Sequence, residues 1–232
     1  MISDCPKISI VIPVLNEADV IESTLSNPEH INLEVIVVDG GSSDETLDII
    51  SQHQCKMIDA AAGRANQMNK GADAATGDIL IFLHADSVLP AEFDSCLCTD
   101  FWSSEKSWGR FDVRLSGTHP LFRIIEGFMN NRSRLTGICT GDQAIFVKRE
   151  AFAKIGGFAP IPLMEDIEIS KSLKKISPPF CIKSRLVTSS RRWEKNGIIK
   201  TILLMWKLRL MHFVGVKSHV LAKHYSKTPA PS

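Results

Sequence analysis

Leu33-Glu34-Val35-Ile36-Val37-Val38 runs directly into Asp39-Gly40-Gly41-Ser42-Ser43-Asp44. The first six residues form a short, β-branched apolar run, the pattern of a strand buried in a parallel sheet. Gly40 and Gly41 permit a tight turn, and Ser43 or Asp44 can cap a helix from Glu45 to His53. The same pattern recurs on both sides of this unit. Ile8 to Ile12 reads as a strand ended by Pro13, and Asn16 to Leu25 as a helix with Glu17, Asp19 and Glu22 near its start. A helix dipole favours acids there. Cys55 to Asp59 is a third, weaker strand and Arg64 to Ala75 a helix, while Asp78 to Leu83 is a strand that leads into His84-Ala85-Asp86. Strand, loop and helix alternate as far as Pro90. This order predicts an α/β fold with one Rossmann-like, mostly parallel sheet, right-handed crossovers and flanking helices. Ligands bind such sheets beyond the carboxyl ends of the strands.

After Pro90 the rhythm changes. Helices are expected at Phe93 to Trp102, Ile124 to Arg134, Arg149 to Ile155 and Glu165 to Lys174. Trp108 to Leu115 alternates like an exposed edge strand, Gln143 to Val147 is a strand, and Val187 to Ser190 leads into Arg191-Arg192-Trp193. Lys227 to Ser232 reads as a frayed tail. The 232 residues are 44% hydrophobic, enough for one substantial core. The expected organisation is a single domain over 1–232, with a first half at about 7–90, a second at about 91–195 and a C-terminal helical segment at about 196–225.

A formal net charge of +1 provides no global field toward nucleic acid. The six cysteines have neither zinc-finger nor disulfide-framework spacing, so reduced thiols in a cytoplasmic protein are expected. The start, MISDCPK, lacks the apolar run of a signal peptide. Ile198 to Val216 is rich in Leu, Ile, Met and Trp, but Lys200, Lys207, Arg209 and His212 argue against a membrane span. On a helical wheel Ile199, Ile202, Leu203, Trp206, Leu210, Phe213 and Val214 share one face. That face suits plain core packing, a peripheral contact with the inner membrane surface, or a homodimer.

Several residues carry candidate chemistry. Asp39 at a strand end can accept hydrogen bonds from a nucleoside, or simply form the turn. His84 and Asp86, two apart in an extended segment, would face one cation. Asp86 is the better ligand for Mg²⁺ or Mn²⁺, which prefer oxygen. Glu165 and Asp166 open a helix after Pro160-Ile161-Pro162, where acids either complement the dipole or act as a general base. Arg64, Gln67 and Lys70, at helical spacing, can present donors to a phosphate or base, with a solvated helix face as the alternative. Arg191-Arg192-Trp193 can clamp a pyrophosphate or stack a ring, or form a basic turn anchored by its tryptophan. No G-x-G-x-x-G, Walker-type or G-x-S-x-G motif is present, which removes support from dinucleotide oxidoreductases, P-loop NTPases and serine hydrolases.

Together these segments resemble the family 2 glycosyltransferases of GT-A fold. The resemblance runs through Ile8 to Glu17, Val37 to Thr46, Gly63 to Ala72, Gly77 to Asp86, Gly141 to Phe146, Gly156 to Phe158 and Met164 to Glu168. It is nearest to a small bacterial subgroup often associated with radical-SAM or selenium-domain genes. The resemblance makes the part at about 7–90 a nucleotide-binding half and that at about 91–195 an acceptor half, and it implies that Pro13 and Glu17 border a nucleoside, that Asp39 contacts the uracil or ribose, and that Asp44 and Arg64 support that pocket. Asp86 matches the last acid of the metal-binding D-x-D, and Asp166, with Glu165 beside it, matches the base. The implied reaction is an inverting single displacement from a UDP-sugar to an unidentified hydroxyl acceptor, assisted by Mn²⁺ or Mg²⁺. Two departures stand out. His84 occupies the first D-x-D position, and Ser189 stands where processive members carry the glutamine of Q-x-x-R-W. The rivals are a catalytically inactive nucleotide-sugar-binding module and a nucleotidyltransferase of related fold. The latter would carry a glycine-rich, basic phosphate loop, which Pro13 to Val20 is not.

Overall fold

The computed structural model describes residues 5–26 and 33–226, so the tail expected at Lys227 to Ser232 lies outside the described residues. Four strands begin the chain: β1 (Ile8–Val14), β2 (Leu33–Asp39), β3 (Lys56–Asp59) and β4 (Ile79–Phe82). They pair in parallel in the order β3-β2-β1-β4. The helices α1 (Ala18–Leu25), α2 (Thr46–Ile50) and α3 (Arg64–Ala74) make the connections. The strand order reverses between β1 and β4, which opens a crevice at their carboxyl ends. β1 continues past Pro13 to Val14, one turn of pleat beyond expectation. Pro13 is tolerated because β4 pairs only with Ile8 to Val11, so no β4 partner is left waiting for its missing N–H.

α3 buries Ala65, Met68 and Ala72 on the sheet near Val11 and Val38. Gly71 makes this close approach possible, since a Cβ there would stand 2.3 Å from Val11 Cγ1 and 2.9 Å from Val38 Cγ2. Gly71→Ala is therefore expected to destabilise the chain by about 1–3 kcal/mol through overpacking. A denaturant titration with a lowered midpoint and unchanged slope is the check.

The second half extends the same sheet. It supplies β5 (Ser87–Val88), the helical turn α4 (Phe93–Ser95) continued by a π-helix (Cys96–Phe101), β6 (Trp108–Leu115) and α5 (Pro120–Thr136). A 3₁₀ turn (Gly141–Gln143), β7 (Ile145–Lys148), α6 (Arg149–Ile155), α7 (Glu165–Lys174) and β8 (Phe180–Thr188) follow. The full order is β3-β2-β1-β4-β7-β6-β8-β5, with β7 antiparallel to both neighbours. The strand expected at Gln143 starts at Ile145, because Gln143 closes a capping box with Thr140. α5 begins four residues before the expected Ile124, with Pro120 at its first position, where a missing N–H costs nothing.

β6 is the main departure from expectation. It is an interior strand, buried except at Arg114, rather than an exposed edge. Its alternating charges misled because they are paired. Arg110 is fully buried and pairs with Asp112, which Arg134 of α5 also reaches. β7 covers only Trp108 and Gly109 of β6. Further along, α5 side chains complete the ladder. Asn130 Oδ1 accepts from Val113 N at 2.9 Å, and Glu126 Oε1 accepts from Leu115 N at 2.7 Å. Each otherwise unpaired buried amide thereby gains a partner.

Cys5 and Cys98, with Cα atoms 5.2 Å apart, form a disulfide, which corrects the expectation of six reduced thiols. A separation of 93 residues gave no local spacing from which to read the pair. The cysteine-based reason for a cytoplasmic location lapses with it. The chain continues through α8 (Arg191–Asn196), α9 (Ile198–Phe213) and α10 (Ser218–Ser226). Among the described residues no helix is long and apolar enough to cross a membrane.

Candidate active site

The carboxyl end of β2 is a built loop. Asp39 is buried and accepts from Gly41 N at 2.8 Å, Ser42 N at 3.0 Å and Ser42 Oγ at 2.6 Å. Asp44 accepts from Ala18 N at 3.2 Å and Thr46 N at 3.1 Å, so it ties the starts of α1 and α2 together. Pro13 lies half-buried beside Val38 in the β1–β2 pair. The Glu17 amide donates to Thr46 Oγ1 at 2.8 Å, and its carboxylate pairs with Arg191 of α8.

Gln67 corrects an expectation. Its side-chain nitrogen donates to Val14 O at 2.7 Å and to Val38 O at 2.8 Å, which pins the ends of β1 and β2 together. An amide nitrogen has two hydrogens, so none remains for a phosphate or base. Trp193 corrects another. Its ring packs with Leu115, Phe122 and Ile125 and is an anchor rather than a free stacking platform. Arg192 stacks its guanidinium 3.7 Å from the ring centroid of Tyr225, the only tyrosine in the chain.

A cleft at the carboxyl end of β4 is lined by Arg64, His84, Gly141, Glu165 and Asp166, with Phe82 and Phe158 beneath. The His84 ring fits there because Gly141 has no side chain, since a Cβ would meet His84 Nε2 at 2.3 Å. His84 Nδ1 lies 3.4 Å from Asp142 Oδ1. Burial works to raise the Asp142 carboxyl, but His84, Arg64 and Arg209 hold it below its usual range. The extended geometry expected of His84 and Asp86 is not found. β4 ends at Phe82, and Ser87 N donates to His84 O at 3.1 Å across a turn. The period-two reason for placing both side chains on one cation therefore lapses.

Glu165 and Asp166 head α7 after Met164, whose φ is +72°. Such a backbone costs roughly 1–3 kcal/mol and persists where its surroundings impose it. The other described non-glycine residues with positive φ, Asn16 and Ala144, follow β1 and the 3₁₀ turn, beside the same crevice. Asp166 Oδ2 accepts from Gly141 N at 3.1 Å and Oδ1 from Ile167 N at 2.8 Å. Glu165 is buried, 3.8 Å from Arg64. Burial and the Asp166 carboxylate push the Glu165 carboxyl upward, against the pull of Arg64. Two adjacent acids thus have different environments, one oriented by amides and one biased toward its neutral form.

Among the described residues no three His, Cys, Asp or Glu side chains converge as a metal site. A cation that takes most of its ligands from phosphate and water needs only one or two carboxylates. Asp86 offers one, half-buried at the β4 end, so the donor chemistry fits a divalent ion of that kind.

Sequence reasoning missed Asp142 and Tyr225, which lie within electrostatic reach of Arg64. Tyr225 comes from α10, far along the chain, and nothing in its local pattern points to Arg64.

A sheet of this order, with acids at the ends of β1, β2 and β4, is the GT-A fold shared with solved glycosyltransferases. The chain belongs to glycosyl transferase family 2, whose sequence pattern matches residues 9–156. It is 39% identical over 172 residues to the PGL/p-HBAD biosynthesis glycosyltransferase of Mycobacterium bovis, covering 66% of this chain and 63% of that protein. It is 26% identical over 220 residues to the poly-β-1,6-N-acetyl-D-glucosamine synthase of Staphylococcus epidermidis, covering 89% of this chain and 46% of that one. The chain thus spans about half to two thirds of the length of these relatives. Among solved structures, S. aureus TarS 1-349 in complex with UDP superimposes with a TM-score of 0.66 at 15% identity, covering 79% of this chain and 60% of that one. The Pyrobaculum calidifontis mannosyltransferase PcManGT, in complex with GDP-Man and Mn²⁺, gives 0.64 at 22% identity, covering 99% and 66%. At these identities the structural likeness speaks for the fold.

Proposed function

We propose that this chain transfers a sugar from a UDP-sugar to a hydroxyl acceptor by a single displacement with inversion. The observation that carries the reading is Asp166. Its Oδ2 accepts from Gly141 N and its Oδ1 from Ile167 N, which fixes the carboxylate in the lining of the small pocket at the β4 end. In this reading Asp39 and Asp44 shape the pocket for the base and ribose, with Pro13 and Glu17 at its border. Arg64 and Arg192 bring positive charge to the diphosphate side. Asp166 accepts the acceptor's hydroxyl proton as that oxygen attacks the anomeric carbon from the face opposite the departing diphosphate. Glu165 keeps Arg64 in place. Asp86, with His84 nearby, would hold Mn²⁺ or Mg²⁺, which when bound offsets the charge on the diphosphate.

Thermal shift with UDP, GDP and ADP, with and without Mn²⁺, tests the donor. UDP is expected to raise Tm most, and Asp86→Asn to remove the Mn²⁺-dependent part of the rise. Equal stabilisation by all three nucleotides would sink the uridine assignment.

α9 buries only Thr201 and Leu208; of the expected face Ile202 packs against the α5 cluster, while Ile199, Leu203, Trp206, Leu210 and Phe213, with Val214 just beyond, are exposed. Plain core packing does not describe this face, and we assign it to contact with a membrane surface or a second copy of the chain. Liposome flotation combined with light scattering separates the two. A monomer that never floats would refute both.

A further inference from the structure

Arg132 of α5 has a buried Nε and a buried Nη2 with no hydrogen-bond partner. A guanidinium carries five donors and cannot shed its charge at neutral pH, so this position is costly unless something compensates it. The local carboxylates are already engaged. Asp166 takes the Gly141 and Ile167 amides, Asp142 faces His84, Glu165 faces Arg64, and Asp112 holds Arg110 and Arg134. A second cation deepens the imbalance. Arg209 of α9 and the buried Arg110 both act on Arg132, and Arg209 also acts on Asp142. Burial first, and then Arg209, bring the Arg132 guanidinium down to about 10. The attractive charge that Arg132 feels most among the carboxylates is that of Asp166, the proposed base.

The location follows from the chain. α5 ends at Gly137, and three residues later Thr140 caps the 3₁₀ turn whose Gly141 amide binds Asp166. Gln143 of that turn donates to Ser133 Oγ at 3.1 Å, one residue from Arg132. Leu208, next to Arg209, is buried with Met164 and Ile167, which flank Glu165 and Asp166. Arg132 and Arg209 thus come from the elements that pack around the α7 start, each next in sequence to a residue in contact there.

We propose that Arg132 and Arg209 form an anion subsite for the acceptor, and that the acceptor carries a phosphate group close to the hydroxyl that Asp166 activates. This rests on the assignment of Asp166 as the base. A planar guanidinium fork matches two phosphate oxygens, and phosphate would give the unpartnered Arg132 Nε and Nη2 their acceptors. Arg132 gives up no hydrogen bond from Nε or Nη2 when it turns toward such a group, so its present position does not oppose the movement. The phosphate can belong to a soluble phosphomonoester or to a lipid headgroup, since both present the same oxygens.

The test holds the donor site filled. Wild type and Arg132→Met, saturated with UDP and Mg²⁺, are titrated with inorganic phosphate and with glycerol 3-phosphate by calorimetry. They are also tested by sedimentation with vesicles that contain phosphatidic acid. Wild type is expected to bind at least one of these phosphates. Arg132→Met should weaken that binding by roughly tenfold or more, the scale of one lost charge-assisted bidentate contact. UDP affinity should change less than about twofold. The unliganded Tm of Arg132→Met should equal or exceed that of wild type, because the replaced guanidinium is unpaired, whereas a purely structural arginine would lower it. Arg209→Met provides a second variant should Arg132→Met fail to fold, with the same expected loss. Binding confined to glycerol 3-phosphate identifies a soluble acceptor and binding confined to vesicles a lipid one, and either supports the subsite. Phosphate binding unchanged in both variants, or no phosphate binding by a wild type that binds UDP, overturns it. Failure to bind UDP at all strikes the donor reading instead.

Discussion

Asp166→Asn is expected to lower kcat by about 10²–10⁴-fold, the usual contribution of a general base, while leaving UDP affinity in Mn²⁺ nearly unchanged. Asn preserves the shape of the side chain, and its Oδ1 still accepts from the Gly141 or Ile167 amide, so the α7 start should keep its geometry. What is lost is the ability to take a proton. Steady-state kinetics with a verified acceptor, paired with UDP calorimetry, check both halves. Near-normal turnover would move the base to Glu165, which is buried beside Arg64. Since burial and Asp166 push the Glu165 carboxyl upward, a base at that position would require a higher pH for activity.

Asp112→Ala is expected to destabilise the fold by about 3–5 kcal/mol, the cost of removing one partner from a buried ion pair. Arg110 has no exposed surface, so loss of Asp112 strands a guanidinium in the centre of the sheet, with the Asn130 carbonyl at 3.1 Å as its remaining acceptor. The stranded charge, rather than the strength of the pair, causes the effect. The double variant Arg110→Met/Asp112→Leu should therefore recover most of the stability, because an apolar replacement of similar volume removes both charges together. Chemical denaturation of the two variants decides. If the double variant is as unstable as Asp112→Ala, the charge argument fails and lost shape is the cause.

The parallel half of the sheet was legible because each strand there is a continuous apolar run bounded by turn chemistry. Val37-Val38-Asp39-Gly40-Gly41 gives a strand, its end and its loop in five residues. The acids that open α7 were legible for the same reason, since Pro160 and Pro162 mark the preceding break. Legibility failed where one element's polar side chains satisfy another's backbone. β6 reads as an edge because Arg110, Asp112 and Arg114 alternate with apolar residues. The first two find their partners in the Asn130 carbonyl and Arg134, whose helix comes later in the chain. Gln67 failed in the other direction, as a polar residue at helical spacing that looked available for a ligand but serves two carbonyls. The surroundings of Asp142 and Tyr225 depend on long-range packing, which local periodicity does not encode.

The seam between the two halves has a mechanical consequence. β4 and β7 are registered from Ile79 opposite Lys148 to Phe82 opposite Ile145, and Arg149 Nε donates to Gly77 O at 2.7 Å just outside that run. The pocket proposed for the donor and the side proposed for the acceptor are thus edges of one stiff plate, and no hinge lies between them. A clamshell opening would break the central ladder of the molecule. Compliance has to come from the parts that rest on the plate, and the α8–α10 run is such a part. Arg191 holds it to the β1–α1 loop, and the Arg192–Tyr225 stack joins its two ends. Any opening there has to undo the docking of the run itself: the Arg191–Glu17 pair, the packing of Trp193 on Leu115 and Phe122, and the burial of Leu208 with Met164 and Ile167.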